Sequence, residues 1–356
     1  GSNGILIQAD HVSLDLNGFV LAGVTDALKG IALAAARQNV VVRNGTVSNW
    51  KIGVDGESAT HCQYEGLRLL NNAGTGLIAG ADSIVSRCTS FSSEGHGIQV
   101  DRESRIEECT VRGNLLNGIK VASGCQVMAC TATFNSVHGI SLENNVLVSK
   151  CSVLNNTTVG ILGGQGNQLD NCNASNNGAS GLQMDKNATI NNCSASVNSG
   201  PGLVVGEGSK VSSSAASNNQ QTGILAPHDC TIIDCTASNN LDHGIVVGEH
   251  SHVAGSKTQA NAKIGIRADH ASTVQNCTAQ RNGVDGIWVS SRCTVVGSNS
   301  NHNFNLRDAA GIHATGTDNC LKDNNVIAND RGLSVDVAGN LIVRNSAANN
   351  TINFFI

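Results

Sequence analysis

Imidazoles, carboxylates, a guanidinium and an indole recur at regular intervals between residues 186 and 313, and this is the first feature of the chain with chemical content. Lys186, Glu207, His228, Glu249 and His270 follow one another every 21 residues, with Asp229, His250 and Asp269 beside them. A carboxylate next to an imidazole moves the imidazole's titration toward neutral pH, and the two supply an acid and a base or two ligands for a divalent cation such as Ca2+. His228, Glu249 and His270 are therefore candidate catalytic groups, joined by Arg267, whose guanidinium can clamp a carboxylate. Trp288 offers a face for stacking on a sugar ring. It stands with Asp285, His313 and His243 as the candidate substrate-binding set. The simpler account of the same residues is a solvated electrostatic ladder, in which opposite charges stabilise each other weakly.

A second group lies nearer the N-terminus, with His96, Asn117 and His138 at one spacing, Gln99 and Lys120 at another, and Asp101 and Glu143 at a third. A lysine flanked by two histidines suits proton abstraction beside a uronate carboxylate. A solvated polar strand face is again the simpler account.

The elements that must position these side chains are set by an internal repeat. Gly followed by Ile, Leu or Val recurs every 21 residues from Gly76 to Gly286, with Gly30 and Gly53 before that block and Gly311 and Gly332 after it. Apolar residues alternate after each Gly, as in Gly118-Ile119-Lys120-Val121, which is the period of a strand with one buried face. A second apolar position follows nine residues after the Gly, and a small one, often Ala, fourteen after it. Four residues before the Gly stands Asn: Asn49, Asn72, Asn114, Asn135, Asn156, Asn177, Asn198, Asn219, Asn240, Asn261 and Asn282. Amides stacked one above another donate to one neighbour and accept from the other, so the series predicts a ladder at a turn. The pattern predicts an all-β chain of about fifteen coils in one domain, a prism of three parallel sheets about 70 Å long at ~4.8 Å per coil. Residues 1–75 form irregular first coils, 76–286 regular ones and 287–356 final coils with one longer turn. That longer turn holds His302, Arg307 and Asp308.

Eight of the thirteen cysteines share the position twelve after the Gly, where Ser214, Ser256 and Ser298 also occur. A position that alternates between Cys and Ser wants a small side chain in a tight inward corner, and buried free Cys packs as a small hydrophobe. The sharper reading, a strip for a soft metal, needs reachable thiolates. Cys125 with Cys130, and Cys230 with Cys235, are candidates for bridges within one coil.

Composition narrows the partners. Charged residues make up 14% of the chain, aromatic residues 3%, and the net charge is −5, with no basic run that interleaves aromatics. Nucleic acid is not an expected partner. No apolar stretch approaches the roughly 20 residues of a membrane span, and the first residues lack a basic segment followed by an apolar one. The sequence does not specify an oligomeric state.

The repeat, with Asp10-His11-Val12-Ser13-Leu14-Asp15-Leu16-Asn17-Gly18 as an entry coil, resembles the right-handed parallel β-helix superfamily of pectate-lyase-like proteins. That resemblance covers essentially the whole chain. It implies a β-helix fold, a polysaccharide partner bound on the long strand face, and, for an enzyme, lyase or epimerase chemistry on a uronate-containing glycan. It also implies a secreted, periplasmic or cell-surface location. Gly223-Ile224-Leu225-Ala226-Pro227-His228-Asp229 is similar to the Tyr-Gly-Val/Ile-Asp-Pro-His-Asp/Glu stretch of alginate C5-epimerases. Thr222 stands in place of the Tyr and Ala226 in place of the Asp, and one extra residue shifts the Pro-His pair. The reading of a different class is a non-catalytic structural or adhesive solenoid, favoured by regularity and sparse aromatics.

Overall fold

The computed structural model describes residues 1–24, 26–304 and 308–356. It is all-β, a parallel β-solenoid of about 15 turns with a repeat near 21 residues. The chain forms two compact units, Gly1–Ala179 and Ser180–Ile356.

One coil of the first unit illustrates the rule. After Gly97 come three short strands, Ile98–Val100, Arg105–Glu107 and Thr110–Arg112, each paired in parallel with its equivalent in the next coil. Ile98, Val100, Ile106 and Val111 point inward and are buried, because successive side chains of a strand alternate between faces. Each strand ends in a corner made by one residue in the left-handed region: Glu103 (φ 56°), Glu108 (φ 54°) and Gly113 (φ 66°). The residue after each corner turns inward, and here these are Ser104, Cys109 and Asn114, all buried.

Those three inward corner positions share one physical requirement. A backbone N–H there has no carbonyl of the strand ladder opposite it, and a buried unpaired N–H is costly. The side chain one coil further on accepts it. Ser83 N–H donates to Ser104 Oγ at 3.1 Å, Asn114 N–H to Asn135 Oδ1 at 3.1 Å, and, in the second unit, Cys235 N–H to Ser256 Oγ at 3.1 Å. The columns of Ser, Asn and Cys are thus one device repeated at three corners.

The asparagine ladder is present in both units. Asn114 Nδ2 donates to Asn135 Oδ1 at 2.9 Å, Asn135 to Asn156 at 2.9 Å and Asn156 to Asn177 at 3.1 Å. In the second unit it runs from Asn198 through Asn219, Asn240, Asn261, Asn282 and Asn303 to Asn329 and Asn350. Asn49 is not a member. It is an exposed corner residue at φ 62°, and Trp50 takes the inward place, its N–H donating to Asn72 Oδ1 at 3.1 Å. The 23-residue spacing from Gly53 to Gly76 displaces the register there by one residue.

The glycine series answers to space, not to φ. A Cβ on Gly244 would lie 2.6 Å from the Gly265 carbonyl oxygen and 2.7 Å from Asn261 Nδ2, so only hydrogen fits beside the ladder. The three sheets expected from the repeat need one correction. Val41–Ser48 and Gln63–Leu70 run unbroken through the second and third strand positions, with Asn44 and Gly66, both at φ 60°, turning the chain while pairing continues on either side. Second and third ladders are joined there into one sheet.

None of the thirteen cysteines is in a disulfide; twelve are buried and Cys320 is half-buried. The bridges expected within coils do not form, because the paired thiols sit at successive corners with a strand between them. Cys125 Sγ–H donates to the Asp101 carbonyl at 3.1 Å and Cys130 to Met128 at 3.2 Å; Cys230 donates to His228 at 3.3 Å and Cys235 to Ile233 at 3.2 Å. Burial pushes the Cys235 and Cys277 thiols up to about 11, the opposite of what a metal thiolate strip requires. Among the described residues no helix is long and apolar enough to cross a membrane.

Candidate functional site

The chemistry-bearing residues of the second unit lie on its first strands and on the corners that follow them. Outward positions pair in register across consecutive coils: Leu225, Val246, Arg267, Trp288, His313 and Ser334. The Arg267 guanidinium lies 5.0 Å from the centre of the Trp288 ring, and its Nη2 donates to Asp269 Oδ1 at 3.4 Å. A guanidinium over an indole is attracted by the ring's negative face, which holds both side chains in a defined orientation. Both remain partly open to solvent.

Asp285 directly precedes the glycine that starts its strand and is only 5% exposed. Its Oδ1 accepts the Ala310 N–H at 2.7 Å, and its Oδ2 lies 2.9 Å from His313 Nδ1. The other ring nitrogen, Nε2, faces the Asp336 carboxylate at 3.1 and 3.2 Å. Burial alone would disfavour the charged ring, but the two carboxylates outweigh it and raise the His313 pKa above its ordinary value. His313 is therefore held toward its protonated form between two carboxylates.

His243 is held in the opposite state. Its Nδ1 accepts the Ile264 N–H at 3.2 Å, which puts the ring proton on Nε2, 3.7 Å from Asp242 Oδ1. Burial lowers its pKa despite Asp242, and Lys263 and Arg267 act in the same direction as burial. Asp242 in turn pairs with Lys263 Nζ at 2.8 Å and accepts the Thr222 hydroxyl at 2.9 Å.

His228, Glu249 and His270 occupy the corner five residues after their glycines, with His228 and Glu249 exposed. Glu249 N–H donates to His228 Nδ1 at 3.3 Å, so here an exposed imidazole of the preceding coil is the acceptor. The His250 ring meets the His270 ring edge-on at 6.5 Å, and Asp229 lies 3.9 Å from His250. Lys186 and Glu207 form an exposed ion pair at 2.7 Å.

The contacts thus bring Arg267 to Trp288 and Asp285 to His313 on the strand face, and tie His228 to Glu249 at the corner. Asp336, Asp242 and Lys263 were not singled out by the sequence. Asp336 stands four residues after Gly332, as Asp269 stands four after Gly265, so the repeat itself carried that signal. In the long turn, His302 is a left-handed corner whose ring meets Phe304, Asp308 pairs with Arg331, and Arg307 lies outside the described residues. Among the described residues no three His, Cys, Asp or Glu side chains gather in a way that fits a metal ion. In the first unit, Gln99, Lys120 and Ser141 align on the strand face, and His96, Asn117 and His138 form a hydrogen-bonded row beside them.

Comparison with known proteins adds the following. A family model described as a right-handed β-helix region matches residues 3–141, 96–240 and 209–354. No curated protein matches the sequence. Among solved structures, the chain is similar to the A-module of a mannuronan C-5 epimerase from Azotobacter vinelandii, at 13% identity over 93% of this chain and 89% of that one, with a TM-score of 0.49. It is similar to a double mutant of a periplasmic alginate epimerase at 11% identity over 86% and 77%, with a TM-score of 0.50. It is also similar to the Dettilon tailspike protein at 13% identity over 92% and 62%, with a TM-score of 0.49. At such identities the likeness concerns the fold alone.

Proposed function

The chain belongs to the right-handed β-helix family, and from that premise we propose that it binds an acidic polysaccharide along the first-strand face of its second unit and acts on it as a lyase or epimerase. The observation that carries this reading is the partly exposed pair of Arg267 and Trp288, in register with His313. An indole stacks on a pyranose and a guanidinium pairs with a uronate carboxylate, while the charge of His313 is already met by Asp285 and Asp336. Solvent-exposed strand faces of a solenoid present such groups in a line, which suits a linear polymer.

Lyase and epimerase chemistry both begin by taking the proton beside the carboxylate. A base needs a free lone pair. His313 has none, because both ring nitrogens face carboxylates, and His228 uses Nδ1 to accept the Glu249 backbone N–H and carries its proton on Nε2. The role falls to Glu249 or His270 at the adjoining corner, with Arg267 stabilising the charge that develops on the substrate carboxylate.

A non-catalytic scaffold is the second reading, supported by the unbroken coil-to-coil pairing of the second unit's first strands. One experiment separates the two. The chain is titrated with oligouronates by calorimetry while absorbance of unsaturated uronate products and proton exchange at the sugar are followed. Arg267→Ala and Trp288→Ala should each weaken binding at unchanged melting temperature. Binding without turnover would leave a lectin-like solenoid, and undiminished binding in both variants would remove the assignment of this face.

A further inference from the structure

We propose that the first-strand face of the N-terminal unit carries a second site for a carboxylate-bearing sugar, centred on Lys120 and His96. The inference rests on the polysaccharide reading above and extends it to a face that reading does not use.

Lys120 projects outward from Ile119–Val121, between Gln99 on one side and Ser141 on the other, and is exposed. The ion pairs of this unit engage Lys29, Arg37, Arg43, Arg87 and Arg105, and among the described residues Lys120 is in none of them. The carboxylates of the two adjacent coils are committed elsewhere. Asp101 Oδ1 accepts the Arg102 N–H at 2.8 Å, and Glu143 Oε2 accepts the Ser123 hydroxyl at 3.2 Å. An ammonium at the middle of a strand face, flanked by an amide and a hydroxyl, is in no ion pair among the described residues.

The imidazoles beside it supply donors without supplying charge. Asn117 N–H donates to His96 Nδ1 at 3.2 Å, so the ring proton of His96 is on Nε2. Asn117 Oδ1 then accepts the His138 N–H at 3.2 Å, and His138 Nδ1 meets the Thr158 hydroxyl at 2.8 Å. The row is held at three successive corners. Burial, and after it the charge of Lys120, keeps His96 below its ordinary pKa, and burial does the same for His138. Near neutral pH the face therefore offers one fixed cation with neutral N–H and O–H donors around it, which matches a uronate: a carboxylate for Lys120 and ring hydroxyls for His96 Nε2–H, Gln99 and Ser141. A polynucleotide, with its dense phosphate charge, needs many cations in a row, and the neighbours in register here are neutral.

The test uses the full chain and a short oligogalacturonate, read by calorimetry for stoichiometry. Two binding events are expected. Lys120→Gln should weaken one of them by at least about tenfold, since a charge-assisted hydrogen bond is lost, and leave the other intact. His96→Asn should do the same while preserving the corner, because Asn117 already fills the equivalent place with an amide, and only the Nε2–H donor disappears. Both variants should melt with the parent. Survival of both events in Lys120→Gln, or a single event abolished by Arg267→Ala alone, overturns this second site and leaves the first. An event that persists in the Arg267→Ala, Trp288→Ala double variant and is lost with Lys120→Gln upholds the second site even where the first fails. Absence of any binding overturns both.

Discussion

Asp285 and His313, on neighbouring coils, share a contact of 2.9 Å between Oδ2 and Nδ1, and the same Asp285 carboxylate receives the Ala310 backbone N–H through its other oxygen. The acid thus fixes a ring and a backbone turn together. Asp336 closes the far side of the ring. The His313 pKa is raised in the folded chain, so its contribution to stability is complete below the ordinary histidine value of 6.5 and is lost as pH rises through the higher folded value. The melting-temperature difference between the parent and His313→Gln should therefore shrink as pH rises from 6.5 through the higher folded value. Proton NMR should find the His313 midpoint above 6.5, and Asp285→Asn should lower it. A His313→Gln penalty that grows with pH would contradict a ring held toward its protonated form.

The ladder sets a second expectation. Asn240→Ala would leave the Asn219 backbone N–H and one of its two amide N–H groups unpaired in the core, the other staying on the Ala195 carbonyl, and strip the Ala216 carbonyl of its partner. Each orphaned buried group costs roughly 1–3 kcal/mol, so the loss should exceed about 3 kcal/mol. Gln220→Ala, on the exposed corner nearby, should stay within about 0.5 kcal/mol. Chemical denaturation of the two variants decides it, and equal midpoints would mean that the amides do not carry the corner.

Thiol reactivity follows from burial. Cys109, Cys130, Cys151 and Cys172 are buried, and hydrogen bonding to Cys109, together with desolvation, pushes Cys130 up to about 12. These four should resist alkylation in the native chain and react once it is denatured. Cys320, half-buried on an outward strand position, should be labelled first. Peptide mapping after a short pulse with iodoacetamide would refute this if the four buried thiols were modified as fast as Cys320.

The tautomer of His228 makes a prediction about catalysis. Because Nδ1 is occupied by the Glu249 N–H, His228→Asn should preserve both fold and turnover on a uronate polymer. Glu249→Gln or His270→Ala should lower kcat with little change in KM, as expected for a group that acts in the transition state. Loss of turnover in His228→Asn with the other two variants unaffected would return the base to His228.

A 21-residue period in glycine, asparagine and alternating apolar residues was enough to specify a parallel solenoid, because stacking coils in register places each residue beside the one a repeat away. Sequence distance becomes spatial contact: the pairing of Arg267 with Trp288 could be read from the period, and that of Trp288 with His313 from their common place two residues after a Gly of the series. The same rule failed at Asn49, where a longer coil shifts register and Trp50 enters the inward corner. What only the tertiary structure decided is which atoms meet. The left-handed corners, and the need of each inward N–H for a side-chain acceptor one coil away, explain Ser, Cys and Asn as one series, although their chemistry had suggested separate roles. The charge states of His313 and His243 were likewise outside the reach of spacing, since a ring nitrogen becomes donor or acceptor according to the carboxylate or backbone N–H within about 3 Å of it, and that is set by how the folded corners aim their groups.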